Sequence, residues 1–232
     1  MKKFNGHEKK GLYDPANEHD ACGVGFVVDM KGRKSHQTVV DALTILKNLL
    51  HRGACGCEEN TGDGVGLLIQ KPHKFFLREC KKLNIHLPKH DYYGAGLIFL
   101  PTNVSQADQC KNILSKIVTE EGQTLLGWRD IPTDDSMLGP SAASGKPDFK
   151  QIFIGRGKQI KDASAFERKL YVIRKRAENE IWNSDMSEKD MFYVPSLSYR
   201  TFVYKGMLTG TQIEPMFPDI TDTDVESALA LV

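Results

Sequence analysis

Apolar residues recur along this chain in two rhythms. Val39, Val40, Leu43, Leu46, Leu49 and Leu50 fall at helical spacing; so do Ala107, Cys110, Ile113, Leu114, Ile117 and Val118, and so do Phe166, Leu170, Ile173, Ala177 and Ile181. Each set predicts an amphipathic helix, and a further helix is expected over 73–83. The first should stop at "HRG", where Gly53 can take a left-handed cap. The long third one should open on a capping box formed by Ser164 and Glu167. Short apolar runs predict strands. "CGVGFVVDM" reads as a short buried strand and "GDGVGLLIQKP" as a turn followed by another. More strands are expected at 94–101, 125–131, 150–155, near 190–195 and at 199–205.

Between them, residues 133–149 are dense in Gly, Pro and Ser and read as a loop, and residues 1–21 as a polar, turn-rich leader. "VESALALV" closes the sequence as an apolar run with no turn behind it. Helices and strands mix without strict alternation, and several strands are adjacent. The pattern therefore predicts one α+β domain of layered sheets and helices.

Composition narrows the function classes. The 31 basic residues balance 30 acidic ones, so nothing marks a nucleic-acid or anionic-membrane partner. No apolar run approaches the roughly 20 residues of a bilayer span. The N-terminus lacks the apolar core of a secretory signal, and its acidic residues and missing arginine argue against a transit peptide. A cytoplasmic setting with reduced thiols follows, and five cysteines, an odd number, agree with it. All seven histidines lie in the first 90 residues, so no mechanism can draw one from the second half.

Two stretches carry candidate chemistry. Cys22, in "EHDACGVGF", reads in the plainest way as a small buried residue opening a core strand. A second reading uses the leader. If the bond after Ala21 were cut, Cys22 would hold a thiol and a free α-amine with a pKa of roughly 8, suited to accept the thiol proton. Nucleophile and base would then share one residue, with no histidine required. The other stretch is "HRGACGCEENTGDGVG", residues 51–66. Its glycine spacing is not that of a Walker loop. Cys55 and Cys57 lack a second metal-spaced pair, so no metal is expected, and their gap is not that of a thioredoxin-type redox motif. Arg52 could fork onto a carboxylate or make a surface salt bridge, and Asp63, between Gly62 and Gly64, is most simply a turn residue.

Taken together, "EHDACGVGF", "LLHRGACGCEENTGDGVGLLIQKPHKFF", "YKGMLT" and "ESALALV" resemble the N-terminal glutaminase domain of glutamate synthase large subunits. That domain is a class II glutamine amidotransferase among the N-terminal-nucleophile hydrolases. The resemblance runs in order from about residue 12 to Val232, with fewer matching words between roughly 80 and 185. It implies a four-layer αββα sandwich, with 1–21 as a leader and 22–232 as the N-terminal part of the domain. It implies that Cys22 attacks the carboxamide of L-glutamine, releases ammonia and passes through a γ-glutamyl thioester. Arg52 and Gly53 would order the pocket beside the nucleophile, and Gly62, Asp63 and Gly64 would shape the adjoining loop and strand. The ammonia would aminate 2-oxoglutarate elsewhere in the enzyme. FMN, an iron–sulfur cluster and a possible small subunit belong to those other domains, and no cofactor is expected in this stretch.

In the family, a histidine-serine-arginine segment continues "ESALALV" and a later asparagine-glycine segment supplies the oxyanion hole. Neither is in this sequence. Loss of a single oxyanion donor costs about 100- to 1000-fold in rate. The stretch is therefore expected to act only with the rest of the domain, the alternative being a non-catalytic fragment that at most binds a partner. Ending there should also leave the last strand unpaired and its sheet partners exposed.

Overall fold

The computed structural model describes residues 23–50, 58 and 60–232. Two four-stranded antiparallel sheets organise them. The first runs β1 (Phe26–Val28), β8 (Leu229–Leu231), β2 (Val65–Gln70), β7 (Thr201–Gly206). The second runs β4 (Thr124–Asp130), β5 (Asp148–Gly155), β3 (Tyr93–Leu100), β6 (Tyr193–Ser198). The α+β class is thus as the sequence predicts.

Three helices show why periodicity sufficed for them. In α1 (His36–Asn48) the Ser35 hydroxyl accepts from the Thr38 N–H, and Val39, Ala42, Leu43 and Leu46 are buried. Val40 and Leu50 face outward, and the helix stops at Asn48 with Leu49 donating back to Ile45 and Leu46. The expected glycine cap at Gly53 lies outside the described residues. α3 (Val104–Glu120) buries Ala107, Cys110, Leu114, Ile117 and Val118, four of them at 0% exposure. α5 (Ala163–Trp182) buries the predicted stripe from Phe166 to Ile181, but its cap is not the expected box. Asp162 accepts from the Ala165 N–H at 2.7 Å, while Glu167 accepts from the Ser198 hydroxyl and the Tyr199 N–H. A carboxylate already at the N-cap position satisfies the helix end, which frees Glu167 for the β6–β7 turn.

The second sheet is one contiguous unit. In the chain order β3-α3-β4-β5-α5-β6, the strands lie β4-β5-β3-β6, a split βαβ arrangement. Both helices pack on the face bearing Ile98, Leu100, Ile152 and Ile154, forming one hydrophobic cluster. Gly94 permits that approach, because a Cβ there would lie 2.5 Å from the Leu170 side chain. The opposite face, with Ala95, Leu97, Phe149 and Phe153, joins a second cluster shared with α1, α2 (His73–Lys82) and the first sheet. Within 133–149, expected as loop, Pro140–Ser144 forms the short helix α4 and β5 already starts at Asp148. Near 190–195 the strand begins only at Tyr193.

Two expectations about the first sheet fail. β1 is not buried: it is an edge strand, with Phe26 66% exposed and Val28 also open. Nor is the last strand unpaired. β8 sits between β1 and β2, with Phe26 opposite Leu231 on one side and Ile69 opposite Ala230 on the other. The backbone of Gly25 exchanges both hydrogen bonds with Val232 at 2.9 and 2.8 Å. Among the described residues, β8 is the strand that β1 pairs with.

The two halves meet at a buried ion pair. Arg129 on β4 donates to both oxygens of Asp219, at 2.6 and 2.8 Å, and to Gln151 at 2.8 Å, while the Tyr204 hydroxyl donates to the same carboxylate at 3.4 Å. Burial opposes the Arg129 charge, and Asp219 more than offsets it, so the guanidinium pKa is raised.

Candidate glutaminase site

β1 and β2 are both antiparallel to β8, so their N-terminal ends lie at the same end of the first sheet, with Val232 between them. Of the predicted site residues, Gly62, Asp63 and Gly64 are described; Cys22, Arg52 and Gly53 fall outside the described residues, as do Cys55 and Cys57. The structure places the three described loop residues at the entrance to β2. Gly62 is buried against the turn after β7: a Cβ would stand 2.2 Å from the Leu208 carbonyl oxygen, which only hydrogen permits. Gly64 takes a positive φ of 143° as the chain enters β2, where Val65 pairs with Gly206. Asp63 between them is exposed, as a turn residue should be.

The near side of this loop is held by residues that pattern reading missed. The Glu58 carboxylate accepts from the Thr61 hydroxyl (2.7 Å), the Ser141 N–H (3.1 Å) and the Ser141 hydroxyl (2.8 Å). Those hydrogen bonds, Thr61 first, hold its pKa below the ordinary glutamate value. Asn60 offers its carbonyl to the Gly139 N–H and to Gln212. A Glu, a Ser and a Gln in polar turns carry no sequence signal that could have singled them out.

Other features of the molecule differ in chemistry. A cavity of about 230 Å³ between the sheets is lined by Phe99, Phe149, Tyr193, Leu208 and Met216. Its wall is largely apolar, with Lys146 and Asp190 also on the lining. Cys80 and Cys110 are buried in different clusters, and burial pushes their thiols up to about 12 and about 11. Both are poor nucleophiles near neutral pH. At the far end of β2, Lys71 is buried and donates to the His90 and Tyr93 carbonyls at 2.6 Å each. Among the described residues no group of three or more His, Cys, Asp or Glu could hold a metal ion, and no helix is long and apolar enough to cross a membrane.

Residues 22–232 match the family model of class II glutamine amidotransferases. The chain belongs to this family. The match begins at Cys22. Among curated proteins, this amidotransferase is 43% identical over 96% of its length to the glutamate synthase [NADPH] large chain of Bacillus subtilis. It is 38% identical over 97% of its length to glutamate synthase [NADH] of Saccharomyces cerevisiae. It is 34% identical over 95% of its length to a chloroplastic ferredoxin-dependent glutamate synthase of Arabidopsis thaliana. The chain spans only 14%, 11% and 13% of those proteins.

Proposed function

We propose that this chain is the glutaminase part of a cytoplasmic glutamate synthase, with Cys22 as nucleophile. The observation that carries the reading is the family match that starts at that cysteine, with relatives of three electron-donor types named as glutamate synthases. Removal of residues 1–21 would free the Cys22 α-amine. The amine takes the thiol proton, and the thiolate attacks the side-chain carbonyl carbon of L-glutamine. The tetrahedral adduct collapses by breaking its C–N bond, and the protonated amine hands its proton to the departing ammonia. Water then attacks the γ-glutamyl thioester, which releases glutamate and restores the thiol.

Arg52 and Gly53 order the pocket, and Gly62, Asp63 and Gly64 set the loop beside it. The close seat of Gly62 on Leu208 supports a fixed rather than adaptable loop. The four-layer αββα sandwich is the reading for the intact domain, supported by the open apolar residues Phe26, Val28 and Leu231 that a further layer would cover. The ammonia would serve reductive amination of 2-oxoglutarate in other domains of the enzyme, of which this chain spans a small share. FMN, an iron–sulfur cluster and any contact with a small subunit are assigned to those domains; Cys80 and Cys110, the described cysteines, sit in separate hydrophobic clusters.

Mass spectrometry of the full-length protein tests this. An N-terminus at Cys22, together with labelling of Cys22 by an electrophilic glutamine analogue, is expected. An active enzyme still beginning at Met1, or a label on another thiol, would overturn it.

A further inference from the structure

Three chain segments meet around one side chain at the entrance to β2. Gln212, just before the short helix α6 (Ile213–Met216), is 3% exposed, yet every polar atom of its carboxamide is used. Its Nε2 donates to the Asn60 carbonyl at 2.9 Å and to the Met137 carbonyl at 2.7 Å, and its Oε1 accepts from the Thr209 N–H at 2.8 Å. The Gly139 N–H reinforces the same Asn60 carbonyl at 3.0 Å, and Ser141 grips Glu58. The glycine loop is therefore fastened on one side to the turn after β7 and on the other to the β4–β5 connection of the split βαβ unit. An apolar residue would fill the space before α6 without the cost of burying an amide, so the amide's value lies in what it joins.

We infer that Gln212 is a positioning residue for glutamine hydrolysis, with Glu58 and Ser141 supporting it. It fixes the Asn60 end of the segment that leads into Gly62, Asp63 and Gly64, and through Met137 it ties that segment to the β4–β5 connection. The inference rests on the assignment of this loop and Cys22 to glutamine chemistry. A buried side chain with two donors on two carbonyls is rigid, and a displacement of 1 Å at a reacting site costs on the order of 100-fold.

The experiment uses the full-length enzyme with Gln212→Leu and Ser141→Ala. First, the thiol labelled in the unmodified enzyme by an electrophilic glutamine analogue is identified. Then kcat and KM for glutamine are measured, with the rates at which Cys22 reacts with the analogue and with N-ethylmaleimide, which uses no glutamine-binding group. Gln212→Leu is expected to lower kcat/KM and analogue labelling by about 10-fold or more while the maleimide rate stays within about twofold. Ser141→Ala, on the exposed surface, should move the same ratio in the same direction by a smaller factor. Unchanged kcat/KM in Gln212→Leu overturns the inference. An equal fall in both labelling rates also overturns it, because that is loss of fold rather than of position. Should Gln212→Leu not accumulate, an unaltered labelling ratio in Ser141→Ala overturns it instead. A label away from Cys22 in the unmodified enzyme is a different result: it removes the assignment of the nucleophile itself.

Discussion

The two sheets have the same number of strands and opposite economies of construction. β4-β5-β3-β6 comes from one contiguous stretch, 93–198, that brings its own helices, and β3 is buried along nearly its whole length. β1-β8-β2-β7 is gathered from four distant segments, and its edge leaves Phe26, Val28 and Leu231 open. The described loop residues Gly62, Asp63 and Gly64 lead into the second kind, while Glu58 and Asn60 beside them are tied to the β4–β5 connection of the first. The difference teaches that the self-sufficient unit acts as scaffold, while the composite sheet carries the loops whose geometry must be adjustable by sequence from several places.

The seams between the sheets are where this contrast can be broken. Asp219→Ala would strand the Arg129 charge in the interior, and removing one partner of a buried pair costs about 3–5 kcal/mol. Urea denaturation should show that loss; a change under about 1 kcal/mol would mean that the halves are not coupled there.

A smaller effect comes from Lys71, which ties the end of β2 to the start of β3. Burial first, with repulsion from Lys34, pushes its pKa from 10.5 to about 7, against the attraction of Asp91 and Glu167. The unfolded chain then holds more protons than the folded one between pH 7 and pH 10.5, so this group makes stability rise with pH across that window. Below pH 7 its penalty is constant. Compared with Lys71→Met, the unmodified protein should therefore gain stability from pH 7 to pH 9, by at most about 1.4 kcal/mol per unit. Groups common to both proteins cancel in that difference, and a flat difference would refute the assignment. Smallest of all, Phe26→Ser should shift the stability of this 232-residue chain by about 0.5 kcal/mol or less, as open-surface substitutions do. A larger loss by thermal melting would show that the open sheet face is covered.

Legibility in the sequence divided along the same line. α3 and α5 were readable because each packs one apolar stripe against its own sheet, so local periodicity records the contact. The cap of α5 was not, since Ser164-Glu167 has the right spacing while Asp162, two residues earlier, already meets the need. The burial of β1 was misjudged because "CGVGFVVDM" is apolar on both faces, and only the sheet order decides which of them is covered. Cys22 was singled out through its family words and lies outside the described residues. Gln212 and Glu58 were invisible because the contacts that tie their segments to the β4–β5 connection reach Met137 and Ser141, about 75 and about 83 residues away. Their near partners Thr209 and Thr61 form no pattern that marks a site.

The place of β8 also dictates a timetable. As the ribosome delivers the chain, residues 93–198 can settle as soon as they emerge, since every strand they need is near in sequence. β1 must wait some 200 residues for Leu229–Leu231, its strand partner among the described residues. Docking of β1 into its sheet is thereby delayed until translation has passed that point.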